Sequence, residues 1–165
     1  MRKIFLFFFS VLFVSCSSQS DTEIFSNAVE LVKKNDFQGA INEYNKLAEE
    51  HSDSRLAPKA LYEIAKIYHM NLIKDIDKKE SLGNAVRYYK RLSAEYPEAS
   101  ESQKALFVAG YIEANELSDT SAARKTYEEF LKRYPDSEMV TSVKLELEYL
   151  GMAPDKLLEQ RLNNQ

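Results

Sequence analysis

Two stretches of this chain echo each other, RLSAEYPEASESQKALF at 91–107 and FLKRYPDSEMVTSVKLE at 130–146. Each writes Tyr-Pro-acid-small after one amphipathic run and before another. Pro97 and Pro135 lie 38 residues apart. Proline disfavours helix in the residue before it. The echo therefore reads as a joint, where one helix stops and the next begins.

The residues around the joint repeat as well. Ala85, Tyr89, Leu92 and Pro97 stand at intervals of four, seven and twelve from the alanine. Ala123, Tyr127, Phe130 and Pro135 keep those intervals, and so do Ala40, Tyr44, Leu47 and Ser52. In a helix the first three positions share one face. The small residue lets a partner helix approach, the two large ones fill the interface, and the last position breaks the helix. Ala28, Ala65 and Gly110 precede the three blocks on the helix before. They are expected to meet the alanines where paired helices cross.

From Asp21 onward apolar residues recur at helical spacing. Helices are expected over 22–34, 37–50, 55–72, 80–95, 101–117, 120–133 and 137–150, with a short one over 155–162. Ser20, Asp77 and Ser100 each stand three before Glu or Gln, the pattern of a capping box. Pro58 falls in an early turn, where a missing N–H costs little. The segment 137–150 starts like another first helix without a full partner. Its apolar face, Val140, Val143, Leu147 and Leu150, suits a cap on the open end of a repeat array. Gly151 would stop it, and 151–165 trails off as a short helix or a frayed end.

This pattern resembles the tetratricopeptide repeat, a helix–turn–helix unit. Ile24, Ala28, Leu31, Phe37, Ala40, Tyr44 and Leu47 fall at that family's spacing. Leu61, Ala65, Tyr68, Ala85, Tyr89, Leu92 and Pro97 form a second copy. Leu106, Gly110, Ala123, Tyr127, Phe130 and Pro135 form a third. The resemblance implies an all-α, right-handed solenoid over 21–150, about three helix-turn-helix repeats plus a C-terminal capping helix. Two departures stand out. Ala40 to Ala65 and Ala85 to Gly110 each span 25 residues, where the family needs 22. The second copy also carries about eight extra residues within HMNLIKDIDKKE (69–80), either a prolonged helix or a charged loop. The lengthened joint is similar to a periplasmic subgroup of the family, the BamD-like lipoproteins of outer-membrane β-barrel assembly and the coordinator proteins of the Tol–Pal system. BamD-like proteins are typically longer. The coordinators carry an N-terminal coiled coil, where this chain has only SSQSD.

The N-terminus differs from the rest. MRKIFLFFFSVLFVSC opens with Arg2 and Lys3, followed by an apolar run from Ile4 to Val14. Eleven helical residues reach roughly 16 Å, too short for a stable membrane span. Residues 1–15 read as a secretory signal peptide. Cys16 is the only cysteine, so it has no disulfide partner. Phe13-Val14-Ser15-Cys16 resembles a bacterial lipobox, with Phe13 where Leu is usual. The resemblance implies lipid attachment at Cys16, with 16–20 as a short tether; the alternative is an ordinary signal peptide with an incidental cysteine. Ser17, not Asp, follows the cysteine. By analogy with lipoproteins, the outer membrane is expected, with the domain facing the periplasm.

Net charge is −4, or −6 once Arg2 and Lys3 are removed with the signal. An acidic chain lacks the footprint of a nucleic-acid binder. His51 and His69 lie in different repeats, and no residue set has metal-ligand spacing. His51 stands where the other joints have Tyr96 and Tyr134, which suits a packing role. No cofactor and no catalytic residue is expected. The remaining candidate is a surface. Carrying over the family's groove positions gives Phe25, Val29 and Lys33 in the first copy. Lys59, Tyr62, Lys66 and His69 follow in the second, and Lys104, Phe107, Tyr111 and Asn115 in the third. Aromatics can anchor a peptide and lysines can hold a carboxylate; the same aromatics can simply pack between repeats. Envelope proteins or peptides, with the β-barrel insertase among them, are the expected partners of a non-enzymatic scaffold.

Overall fold

The computed structural model describes residues 19–152 and Lys156. The signal peptide, Cys16 and nearly all of the expected helix 155–162 lie outside the described residues. The described residues form seven α-helices and no strand: α1 (Asp21–Lys33), α2 (Phe37–Glu50), α3 (Ala57–His69), α4 (Lys78–Glu95), α5 (Ser102–Tyr111), α6 (Thr120–Arg133) and α7 (Val140–Tyr149). A five-residue π-helical segment, Ile112–Glu116, prolongs α5. Each helix packs mainly on the helix before it and the helix after it. This is the nearest-neighbour packing of a solenoid.

The repeated positions make the core. Ala28, Ala40, Ala65, Ala85, Gly110 and Ala123 are all fully buried. Tyr44, Tyr89, Tyr127, Leu47, Leu92 and Phe130 are buried beside them. Each buried Leu or Phe contributes about 1.5–3 kcal/mol through apolar surface removed from water. Gly110 shows why the crossing position must be small. A Cβ there would lie 2.5 Å from Cε1 and 2.8 Å from Cδ1 of Tyr127. The α7 cap buries Val143 completely and packs Val140, Leu147 and Leu150 around Tyr127 and Phe130.

The 25-residue spacing is explained by the joints. Each spans six residues, 51–56, 96–101 and 134–139. In each, two successive turns replace direct entry into the next helix. Ser54 N–H donates to His51 O and Ala57 N–H to Ser54 O. Ala99 donates to Tyr96 and Ser102 to Ala99 in the second joint; Ser137 donates to Tyr134 and Val140 to Ser137 in the third. The joint tyrosines then reach backwards. Tyr96 hydroxyl donates to Ser52 O at 2.9 Å, and Tyr134 hydroxyl donates to Pro97 O at 3.3 Å. Ser52 and Pro97 hold the same repeat position, so one bond is made twice. His51, in the first joint among the described residues, pairs with Asp21 at 2.8 Å.

First helices end differently from second helices. Asn35, Asn71 and Ser118 each follow the end of a first-helix segment with a left-handed backbone, φ 60°, 53° and 56°. Such a residue turns the chain after a helix C-terminus. Between Asn71 and α4, residues 72–77 form a loop, not a longer helix. Leu72 and Ile73 pack back onto the core.

Two expectations need correction. Ser100 does not cap α5. Its hydroxyl bonds Glu101, and α5 starts without a side-chain cap because the second joint turn places Ser102 N–H on Ala99 O. The expected helix 101–117 is also not uniform. Leu117 N–H donates to Ile112 O, five residues back, which is π and not α hydrogen bonding. Ser20 and Asp77 do cap, accepting from Glu23 N–H and Glu80 N–H.

Replacing Gly110 with Ala is expected to lower stability by about 1–3 kcal/mol, because the new Cβ would collide with the fully buried Tyr127 ring, which must shift. Gly83→Ala, whose Cβ meets nothing within 4 Å in mid-helix α4, should gain up to about 1 kcal/mol. Urea denaturation of the two variants against the parent measures both.

Candidate protein-binding face

The first helices of the copies, α1, α3 and α5, carry the expected groove residues. Their aromatics do not stand free. Phe25 meets Tyr44 edge-on with ring centroids 5.3 Å apart. Tyr62 meets Tyr89 at 5.5 Å, and Phe107 meets Tyr127 at 6.0 Å. Each is a pair within one copy, between its first-helix aromatic and its second-helix tyrosine. The first two are edge contacts and the third is tilted at 40°; aromatic pairs add about 0.5–1.5 kcal/mol beyond burial. So the packing role is real, but the partner lies in the same copy and not the adjacent one.

Two of these rings, Phe25 and Tyr62, also carry a lysine from the next copy. Lys59 Nζ lies 5.3 Å from the Phe25 centroid. Lys104, at the same repeat position, lies 5.9 Å from Tyr62, and Lys66 Nζ lies 6.0 Å from that ring. Cations over aromatic faces are held by the ring quadrupole. Lys66 is also paired with Glu63 at 2.8 Å. Lys59 and Lys104 make no salt bridge among the described residues. The arrangement is a ladder: aromatic, lysine, aromatic, lysine, then Phe107.

The remaining candidates divide. Val29 is half-buried against the core. Tyr111 is 43% exposed, the most open aromatic of the face. Asn115 sits in the π-helical segment and donates to Tyr111 O at 3.2 Å. Lys33 is engaged by Glu30 at 2.6 Å at the end of α1 and does not join the ladder. His69 points across to the third copy, with Nε2 2.7 Å from Glu116 and its ring edge-on to Tyr89.

Behind the ladder lie the three buried tyrosines. Burial first, then Glu63, pushes the Tyr44 hydroxyl up to about 12. Burial also raises Tyr89, with Tyr62 and Glu63 adding to it. Tyr127 is raised by burial, then by Glu146, Tyr111 and Glu113. Glu63 and Glu146 share a repeat position, so the first and third copies set an acid beside the tyrosine in the same way. All three tyrosines stay neutral at physiological pH.

Sequence reasoning missed Glu113. This carboxylate is 5% exposed. It accepts from Lys90 Nζ at 2.6 Å and from Thr126 Oγ1 at 2.5 Å. The signal was available: Leu31 and Tyr68 hold the same position in the other copies, both apolar. A buried carboxylate needs this pairing, since taking it out of water alone is costly. Among the described residues no group of three or more His, Cys, Asp or Glu could hold a metal ion, and no helix is long and apolar enough to cross a membrane.

Residues 104–137 match the family model of the tetratricopeptide repeat. The match runs from α5 through α6 to the joint after it, the third copy of the pattern. The comparison with curated proteins found no match.

Lys90→Met removes the cation from Glu113 and is expected to cost about 2–4 kcal/mol, with partial exposure of Lys90 favouring the lower end. The double variant Lys90→Met, Glu113→Leu should recover most of that loss, since leucine occupies the position in the first copy. A thermal-unfolding double-mutant cycle tests it.

Proposed function

We propose that this protein is a lipid-anchored, non-catalytic scaffold of the bacterial envelope. It holds protein partners on the face of α1, α3 and α5. Its leading role on this reading is BamD-like, in assembly of outer-membrane β-barrel proteins beside the insertase. The tetratricopeptide-repeat match supports a protein-interaction scaffold in general. The observation that carries the choice of face is the ladder. Lys59 and Lys104, equivalent in successive copies, both present a charge over an aromatic without an acid to neutralise it. A partner bearing carboxylates could engage these charges while apolar side chains reach Tyr111 and the ring edges.

The anchor is argued from sequence. Cys16 follows a short apolar leader and has no partner cysteine. Gln19, three residues on, accepts from Lys46 Nζ at 3.2 Å, so the tether begins at the folded domain. Three extended residues reach only about 10 Å. A lipid on Cys16 would hold the solenoid close to the bilayer surface, on the periplasmic side of the outer membrane.

Two experiments check this reading. A clickable fatty acid should label the protein in cells, and Cys16→Ser should abolish the label; unchanged labelling sinks the anchor. C-terminally tagged protein, extracted from membranes in mild detergent, should bring down the β-barrel insertase. Lys59→Glu with Lys104→Glu should cut that recovery about tenfold, consistent with the loss of two interfacial charges. Recovery of Tol–Pal components instead would move the role to envelope coordination.

A further inference from the structure

The last helix carries an acid that an earlier copy neutralises. We propose that Glu146 anchors a pocket for an arginine side chain of a partner protein, formed between α7 and the turn that precedes α6.

The repeat itself exposes the missing charge. Glu146 stands twelve residues after Tyr134, and Glu63 twelve after His51, so the two acids hold one repeat position. In α3 the lysine three residues on, Lys66, holds Glu63 at 2.8 Å. In α7 that place belongs to Tyr149. Glu146 is half-buried and makes no salt bridge or hydrogen bond among the described residues. The Tyr127 hydroxyl, close enough to feel its charge, is fully buried and donates to nothing. A carboxylate partly removed from water and left unpaired gains from any cation brought to it.

Glu146 lines a cleft of about 360 Å³. Residues 114–120 border it on one side and the end of α7 on the other, and the two sides meet where Gly151, with φ 80°, passes Thr120. Glu146 is the one charged residue among the described residues that line it. The side chains of Ser118 and Thr120 make no hydrogen bond among the described residues. Asn115 spends an amide N–H on Tyr111 O, which leaves its Oδ1 as an acceptor. Two helix C-termini also end here, that of the π-helical segment at Glu116 and that of α7 at Tyr149. Their carbonyl ends favour a cation. The N-terminus of α6 reaches the cleft at Thr120, but Asp119 caps it with a carboxylate.

Of the two basic side chains, arginine suits this lining better. The acceptors belong to separate elements, and a guanidinium offers five N–H donors in a planar fork where an ammonium offers three from one point. Tyr149 adds an aromatic wall on which a guanidinium can stack. Lys156, the first cation after the cleft in the chain, is exposed and does not line it. The site depends neither on the lipid anchor nor on the lysine ladder.

The test titrates the isotope-labelled full chain, in mild detergent, with Nα-acetyl-arginine amide and follows it by NMR. Saturable shifts are expected at the Gly151 N–H, the Asn115 side-chain amide and the Thr120 methyl. Glu146→Gln should weaken binding about tenfold, the loss of a hydrogen bond to a charged group. Nα-acetyl-citrulline amide, of the same shape without the charge, should bind about tenfold more weakly for the same reason. Glu138→Gln makes the same charge change at the other end of α7 and should bind as the parent does, as should Lys59→Glu with Lys104→Glu. Equal losses in Glu138→Gln and Glu146→Gln would mean that binding follows net charge, and would overturn the proposal. So would shifts that do not saturate, or equal binding of the citrulline probe. If Arg161→Gln, without any probe, moved the same three signals as Glu146→Gln, the chain would fill the cleft itself, and the partner site would be overturned as well. A thermal melt of each variant confirms that it is folded.

Discussion

The architecture depends on how closely paired helices can approach at one point. In each copy a small residue on the first helix, Ala28, Ala65 or Gly110, and one on the second, Ala40, Ala85 or Ala123, are buried in the core, where paired helices must come close. A buried tyrosine, Tyr44, Tyr89 or Tyr127, stands four residues after the second-helix alanine. In the third copy the ring lies so near the backbone that even a methyl group would collide with it. Close approach brings the second-helix tyrosine under the first-helix aromatic. Those pairs, Phe25 with Tyr44, Tyr62 with Tyr89 and Phe107 with Tyr127, set the inner face. Lysines from the next copy can lie over the rings because the rings are held edge-on from behind. Interior packing and the lysine ladder are thus two sides of one contact.

The joints impose the second regularity. Two consecutive turns, a backward tyrosine bond and an outward acid recur with the same donors and acceptors. A buried or partly buried hydroxyl without a partner is costly, and the preceding joint's carbonyl satisfies it. Each such bond adds only about 0.5–1.5 kcal/mol. Its larger effect is geometric, since it ties the orientation of one copy to the one before. Among the described residues no joint precedes the first copy, and there histidine stands in place of tyrosine and turns to Asp21.

The third copy departs from the other two around Glu113. Where Leu31 and Tyr68 contribute apolar surface, a carboxylate is held between Lys90 and Thr126. The chain passes through a π-helical turn at that point, and Asp119 N–H donates to Glu113 O at 2.7 Å as α6 begins. Lys90 belongs to the second copy, so the pair also joins two copies. His69 and Glu116 do the same on the neighbouring turn. Of the groove candidates, Tyr111 immediately precedes this segment and Asn115 lies within it, bonded back to Tyr111 O.

Helix positions, the crossing residues and the joints were legible in the sequence because they are local or periodic. A cap such as Asp77 acts on an amide three residues away, and a small–Tyr–large spacing fixes one face of a helix wherever that helix goes. Ser100 misled because its neighbours had a competing turn to make, one that the hydrogen bonds of residues 96–102 decide. The groove candidates were legible as positions but not as contacts. That Lys59 and Lys104 cover rings while Lys33 stays with Glu30 depends on side chains from different copies meeting. The sequence by itself determined that this chain is a run of paired helices with a repeated joint, since those properties need only a residue and its near neighbours. Only the tertiary structure decided which hydroxyl reaches which carbonyl, which charge is left unpaired and where a carboxylate is buried. Those outcomes depend on groups that lie 13 to 47 residues apart and meet only when the copies stack.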